Sequence, residues 1–284
     1  MRNSKPGSRG VIEYYESTGS RLGYRYILGG TKHFGFYAEG ESRWHFGQAM
    51  RRMEDKLAEV LSLEPGRRVL DAGCGMGDVA RRLAQRHGLL VHGIDILDFN
   101  VEEARKRSTK HGLDDSLSFE MMDYSRLTFP DDSFDGVYTM ETLVHAEDSA
   151  EVLKGFYRVL KPGAKLVLFE YSHDDEDKMS MDARRALREV NELASMPSFQ
   201  RFGPGVLVDE LREAGFVGIS AVEITENMMP MVSAFNTLAR FPYGVARKLG
   251  RPHAFTNAMS AVEFWNIRAN LHYEIFSARK PELG

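Results

Sequence analysis

Ten residues constrain this chain more than any others: Val69-Leu70-Asp71-Ala72-Gly73-Cys74-Gly75-Met76-Gly77-Asp78. A short apolar run passes into glycine at every second position and then into a helical pattern from Val79 to His87. Glycine lets the backbone turn tightly and lets a ligand approach with no Cβ in the way. In open parallel sheets, ligands sit at the carboxyl ends of the strands. The stretch therefore predicts a strand, a ligand-binding turn and the start of a helix.

The rest of the middle zone, residues 51–223, repeats that alternation. Strands are expected at Arg68–Asp71, Leu89–Asp95, Leu117–Met122, Phe134–Thr139 and Lys165–Tyr171, with helices at Val101–His111 and Ala150–Leu160 between them. Lys161-Pro162-Gly163 should stop the second of these helices. Strands separated by helix-length segments imply a parallel sheet covered on both faces, with right-handed crossovers. A helix from Gly205 to Ala214 and a strand from Phe216 to Val222 follow, and His272–Ala278 reads as a last strand. The roughly 47 residues before it are too long for a simple loop and have helical character, so they are expected to form an inserted cap at about 224–270. Residues 1–50, rich in aromatics and glycine, read as an N-terminal lid segment, and residues 51–284 as the domain itself.

A dinucleotide fold makes a similar turn, but its fingerprint is G-x-G-x-x-G/A. Counted from Gly73 the final position is Asp78; counted from Gly75 the match is displaced into the helix. A carboxylate at a helix start also disfavours pyrophosphate, whereas a cationic ligand tolerates it. Two further acids follow at successive strand ends. Asp95 can accept hydrogen bonds from both hydroxyls of a ribose, and Asp123 can bind an adenine amino group with Tyr124 beside the ring. Each alone is more often a solvated or capping carboxylate. Three behind one glycine turn reverse that preference.

Val69–Asp78, Asp95, Asp123 and Arg158-Val159-Leu160-Lys161-Pro162-Gly163 resemble the successive motifs of class I S-adenosylmethionine-dependent methyltransferases. The resemblance covers roughly residues 60–175. It implies a Rossmann-like α/β sheet of seven strands with the last antiparallel, and S-adenosyl-L-methionine as cofactor. It places Asp71, Gly73 and Gly75 against the methionine part, Asp95 at the ribose, and Asp123 with Tyr124 at the adenine; Ile96 is a further expected cofactor contact, and Glu141 is able to orient the cofactor.

Within the family, Phe134–Asp148, Phe156–Gly163 and Thr225–Pro230 resemble the sterol 24-C-methyltransferase branch. The branch's aromatic and glycine motif near the N-terminus is not intact; Gly29–Tyr37 stands roughly there. Related enzymes of secondary metabolism methylate the alkene of a shorter prenyl chain, including terpenoid groups on teleocidin-type indole alkaloids. Such a reaction passes through a carbocation, which aromatic faces stabilise and exclusion of water protects. Glu141 and His145, at i, i+4 spacing on an expected helix face, are the candidate bases. Tyr14 and Tyr15 are candidate catalytic residues from the closing N-terminal segment, and His33, Tyr37, His145 and Tyr171 candidate substrate contacts. His145 bonded to a backbone carbonyl, and the aromatics serving as ordinary core, are the plainer alternatives. A metal is not expected, since Glu-x-x-x-His lacks a third ligand.

Three other functions stay open: O- or N-methylation of a small natural product, methylation of a sterol, and a cofactor-retaining cyclase or scaffold that has lost methyl transfer. Composition narrows the partners. A formal net charge of -4 gives no electrostatic reason for nucleic-acid binding. One cysteine, Cys74, excludes an intrachain disulfide and fits a reducing compartment. No stretch has the roughly 18 consecutive apolar residues of a membrane helix. The expected partner is a small apolar organic substrate, the expected location the cytoplasm, and a homo-oligomer is left open.

Overall fold

The computed structural model describes residues 33–248 and 256–282. Tyr14 and Tyr15 lie outside the described residues. The described residues begin with a segment at 33–37 that is neither helix nor strand, followed by helix α1 (Phe46–Leu61), which runs across the boundary expected at residue 50. Ala49, Met50, Met53, Leu57 and Leu61 line the buried face of α1 at helical spacing. Burying an apolar side chain of the larger kind contributes ~1.5–3 kcal/mol.

There follow β1 (Arg68–Ala72), α2 (Asp78–His87), β2 (Leu90–Asp95), α3 (Asp98–Lys110), β3 (Leu117–Met121), β4 (Phe134–Met140), α4 (Ser149–Val159) and β5 (Leu160–His173). The second half comprises α5 (Met181–Ala194), α6 (Val206–Glu213), β6 (Val217–Glu223), α7 (Thr225–Lys248), α8 (Thr256–Asn266) and β7 (Leu271–Arg279). The seven strands form one sheet in the order β3-β2-β1-β4-β5-β7-β6. β1 to β5 pair in parallel; β7 runs antiparallel to both β5 and β6. Val69, Leu70 and Ala72 of β1 and Val137, Tyr138 and Thr139 of β4 are fully buried. Continuous burial of this kind is what helices on both faces of a parallel sheet produce. At the edge, β6 carries no buried residue.

Two expectations about the elements need correction. Lys161-Pro162-Gly163 ends α4 as expected, but it already belongs to β5. The β4–β5 register shifts between Phe134↔Leu160 and Gly136↔Lys165, and a bulge of this sort tolerates proline inside a strand. Helix α5 was not anticipated. Its buried face includes Ala183, Ala186, Leu187, Val190, Asn191 and Ala194, in which three alanines and an asparagine blur the apolar stripe that Leu187 and Val190 begin. Both α7 and α8 lie between β6 and β7.

Candidate functional site

The turns after β1, β2, β3 and β4 converge on a cavity of about 310 Å³. The first is shaped by its glycines. Gly73 has φ +93°, and a Cβ there would meet Thr142 at 2.6 Å. Gly75 has φ +52°, and a Cβ there would meet nothing within 4 Å. Gly73 is therefore set by packing as well as conformation, and Gly75 by conformation alone. Asp95 pins the turn from β2: its Oδ2 accepts from the Gly75 amide at 2.9 Å. Its Oδ1 accepts from the Leu97 amide at 2.9 Å and from Asn100 Nδ2 at 3.1 Å.

Asp71, Gly73, Gly75, Asp95, Ile96, Asp123, Tyr124, Glu141, His145 and His33, all candidates from the sequence, line this cavity. Asp123 also caps the turn after β3, accepting from the Ser125 amide at 2.8 Å. The Tyr124 hydroxyl donates to the Thr142 carbonyl at 2.8 Å. Asp71 is buried, and burial pushes its carboxyl up to about 7, opposed by the Tyr138 hydroxyl. One of its oxygens, Oδ2, has no hydrogen-bond partner among the described residues.

Among the described residues, eight of the lining side chains are carboxylates, against one guanidinium, Arg126. A ligand with positive groups suits such a cavity; a pyrophosphate does not. The particular role expected of Asp78 in excluding phosphate is corrected here, because Asp78 is paired with Arg81 and, at 3.1 Å, with Arg107. The exclusion rests on the whole lining. The unpartnered, buried Asp71 oxygen is an acceptor of the sort an ammonium requires.

The pair Glu141 and His145 does not share a helix face. β4 ends at Met140, Glu141 takes φ +58°, and only a single 3-10 turn, Leu143–His145, follows. Ser62 and Ser195, two other non-glycine residues with positive φ, close helices; Glu141 does not. A left-handed glutamate costs of order 1–2 kcal/mol, which the packing around it must offset. Its carboxylate accepts from the Phe34 amide at 2.6 Å, from the Tyr273 hydroxyl at 2.8 Å and from the Tyr171 hydroxyl. Burial raises the Glu141 carboxyl, against Tyr171, the Phe34 amide, His33 and Tyr273. His145 instead donates Nδ1–H to the Ser195 carbonyl at 2.8 Å, the plainer of its two readings.

Two of the four expected substrate contacts stand elsewhere. Tyr171 is buried behind Glu141 rather than in the cavity wall. Tyr37 is 1% exposed in a small core with Ala49, Met50 and Met231, its hydroxyl on the Arg43 carbonyl at 3.1 Å. An aromatic-rich composition alone does not tell the side facing the site from the side facing α1. His33 donates Nδ1–H to the Phe34 carbonyl at 2.8 Å, and its Nε2 is 3.5 Å from Glu54.

Sequence reasoning missed Glu170. Fully buried in β5, it accepts through Oε1 from the Leu143 amide at 2.8 Å, the Thr139 hydroxyl at 3.0 Å and the Thr142 amide at 3.1 Å. Burial pushes its carboxyl up to about 8 against those donors. The signal was available: an acid in the middle of Leu166-Val167-Leu168-Phe169-Glu170-Tyr171. Thr142, which Glu170 holds, in turn donates its hydroxyl to the Ala72 carbonyl at 2.8 Å. Behind these polar groups Phe34, Tyr171, Phe199, Phe264 and Tyr273 pack ring against ring, with centroids 5.2 to 6.4 Å apart. No group of three metal-ligating side chains occurs among the described residues.

Comparison with known proteins agrees with this geometry. A methyltransferase domain profile matches residues 69–163. An S-adenosyl-L-methionine-dependent Diels-Alderase, iccD of Talaromyces variabilis, is 37% identical over 285 aligned positions, covering 98% of this chain and 97% of the relative. The chain belongs to the S-adenosyl-L-methionine-dependent methyltransferase family. The sheet is the class I methyltransferase sheet, and S-adenosyl-L-methionine is the cofactor that the carboxylate-lined cavity fits. In this methyltransferase fold the chain is also similar to the crystal structure of the [4+2]-cyclase SpnF, with a TM-score of 0.80 and 25% identity, covering 97% of each chain. The sterol branch is represented by the sterol 24-C-methyltransferase erg6 of Aspergillus fumigatus. It is 39% identical over 152 residues, covering 54% of this chain and 40% of the relative. Among the described residues, no helix is long and apolar enough to cross a membrane.

Proposed function

We propose that this methyltransferase-family enzyme is a cofactor-retaining [4+2] cyclase acting on a small, apolar polyene. The observation that carries the reading is the extent of the likeness. The Diels-Alderase of Talaromyces variabilis matches across 98% of the chain, whereas the sterol methyltransferase matches across 54%. Substrate-facing parts of a methyltransferase lie largely outside the shared cofactor motifs, so a match along the whole length favours a shared substrate type. The arrangement at Glu141 agrees with it. A cycloaddition converts three π bonds into one π and two σ bonds, moves no proton and needs no base. Glu141 is engaged by three internal donors.

In this reading the protein's contribution is to hold a flexible chain folded, with diene and alkene in contact, and to keep water away. The rings of Phe34, Phe199 and Phe264 pack with Tyr171 behind the Glu141 cluster and fix the position of that wall of the cavity. Asp71, Asp95 and Asp123 would hold the cofactor, which when bound would supply a positive charge in the cavity.

A second reading, methylation of an alkene carbon of a prenyl or terpenoid group, is favoured by the 39% identity to a sterol 24-C-methyltransferase. One experiment separates the two. The protein is incubated with methyl-deuterated S-adenosylmethionine and linear polyenes that carry a conjugated diene and a tethered electron-poor alkene. Prenylated indoles and linear terpenoids are run in parallel. A cyclised isomer of unchanged mass, formed faster than without protein, supports the cyclase. A product carrying the labelled methyl on a former alkene carbon replaces it with the second reading; label on oxygen or nitrogen removes both.

A further inference from the structure

The carboxylate of Glu141 belongs at once to the cofactor cavity and to three segments distant in sequence. The segment 33–37 reaches it through the Phe34 amide, β5 through Tyr171 and β7 through Tyr273. Elsewhere that segment is held by α1 and α7. The Phe36 amide donates to the Ala49 carbonyl and the Tyr37 amide to the Asn227 carbonyl, each at 2.9 Å. Asn227 Nδ2 returns a bond to the Tyr37 carbonyl at 2.9 Å. The Phe34 ring meets Tyr171 edge-on at 6.0 Å and Tyr273 at 6.4 Å, and lies 6.1 Å from Phe235 of α7 and 6.2 Å from Phe264 of α8. Glu141 is thus where the cavity wall, the N-terminal segment and the aromatic packing of α7 and α8 meet.

The charge on that carboxylate is the variable. Burial disfavours the ionised form. His33, Tyr171, Tyr273 and the Phe34 amide favour it. Hydrogen bonds to an ionised acceptor are roughly twice as strong as neutral ones. A protonated carboxyl, which must also place a donor, cannot serve three donors equally well. A cation in the adjoining cavity favours the ionised form through space.

We propose that Glu141 is a positioning residue that senses cofactor charge: a sulfonium in the cavity holds its carboxylate ionised and thereby fastens segment 33–37 against Tyr171 and Tyr273. The proposal depends on the cofactor and not on which reaction the enzyme performs. It distinguishes S-adenosylmethionine, a cation at sulfur, from S-adenosylhomocysteine, a neutral thioether of nearly the same shape.

Amide hydrogen exchange at Phe34, read at residue resolution on the full chain saturated with either ligand, tests it. We expect S-adenosylmethionine to slow exchange there about tenfold more than S-adenosylhomocysteine, the size of one strengthened charge-assisted bond. Equal slowing by the two ligands in the unaltered protein overturns the proposal with no variant needed. In Glu141→Gln, which keeps an acceptor for the Phe34 amide but cannot ionise, the difference between ligands should vanish. By reciprocity, the variant's preference for the cationic ligand should fall by the same factor. Tyr273→Phe loosens the same cluster without removing the charge and should preserve the difference. Persistence of the difference in Glu141→Gln, or its loss in both variants, would mean that packing rather than charge sets the contact.

Discussion

Glu170 ties chemistry to architecture through one oxygen: three donors from β4 and the turn after it converge on Oε1, while Oε2 has no partner among the described residues. Its carboxyl ordinarily titrates near 4.5 and is pushed up to about 8 by burial. Between those values the folded protein binds a proton that the unfolded chain has lost, so this group's contribution to stability falls as pH rises. Asp71, raised from 3.8 to about 7, acts in the same direction over a lower window. Thermal melts of the cofactor-free protein from pH 5 to 8 should therefore show a steeper loss for the native sequence than for Glu170→Gln. Parallel curves would mean that Glu170 stays ionised throughout. Asp95 offers a complementary test, because its two oxygens hold Gly75, Leu97 and Asn100 together. Asp95→Ala should weaken S-adenosylmethionine binding about 10- to 100-fold by calorimetry, the worth of one or two charge-assisted hydrogen bonds. Unaltered affinity would remove Asp95 from the cofactor site.

Among the elements, those with a strong local pattern were legible in the amino-acid order. The strands at 68–72, 90–95 and 134–140 announced themselves as apolar runs, and the glycine turn and Asp95 by their place at strand ends. What escaped reading had its cause in three dimensions. Alanines and a buried asparagine blur the face that Leu187 and Val190 give α5, and the i, i+4 spacing of Glu141 and His145 implied a helix, whereas Glu141 is left-handed and only a 3-10 turn follows it. Glu170 stood in view as an acid within an apolar run, but its role is set by partners in β4 and the turn beyond it, 27 to 31 residues away. Helix α4 shows the opposite case, in which local chemistry decides. Asp148 accepts from the Glu151 amide at 3.1 Å, an N-cap written directly in the sequence. Asp148→Ala should cost ~1 kcal/mol in denaturant titration, without a change in the slope of the transition.

Over the whole molecule, cofactor and fold are thermodynamically linked, because the cavity is built from four strand ends that exist together only in the folded sheet. Ligand at 100 times its dissociation constant should add ~2.7 kcal/mol of stability, measurable as a rise in Tm with S-adenosylmethionine concentration. For a cyclase the same ligand should also be recovered intact after many turnovers, whereas methyl transfer consumes one molecule per product. The sheet order has a consequence in time as well as in space. The strand that comes seventh along the chain sits sixth across the sheet, between β5 and β6, and it supplies Tyr273 to Glu141. As the polypeptide leaves the ribosome, β6 can find no neighbour until β7 has been made. A nascent chain halted before residue 271 would therefore expose two open strand edges and lack a finished site. The wait is one that chaperones are suited to cover.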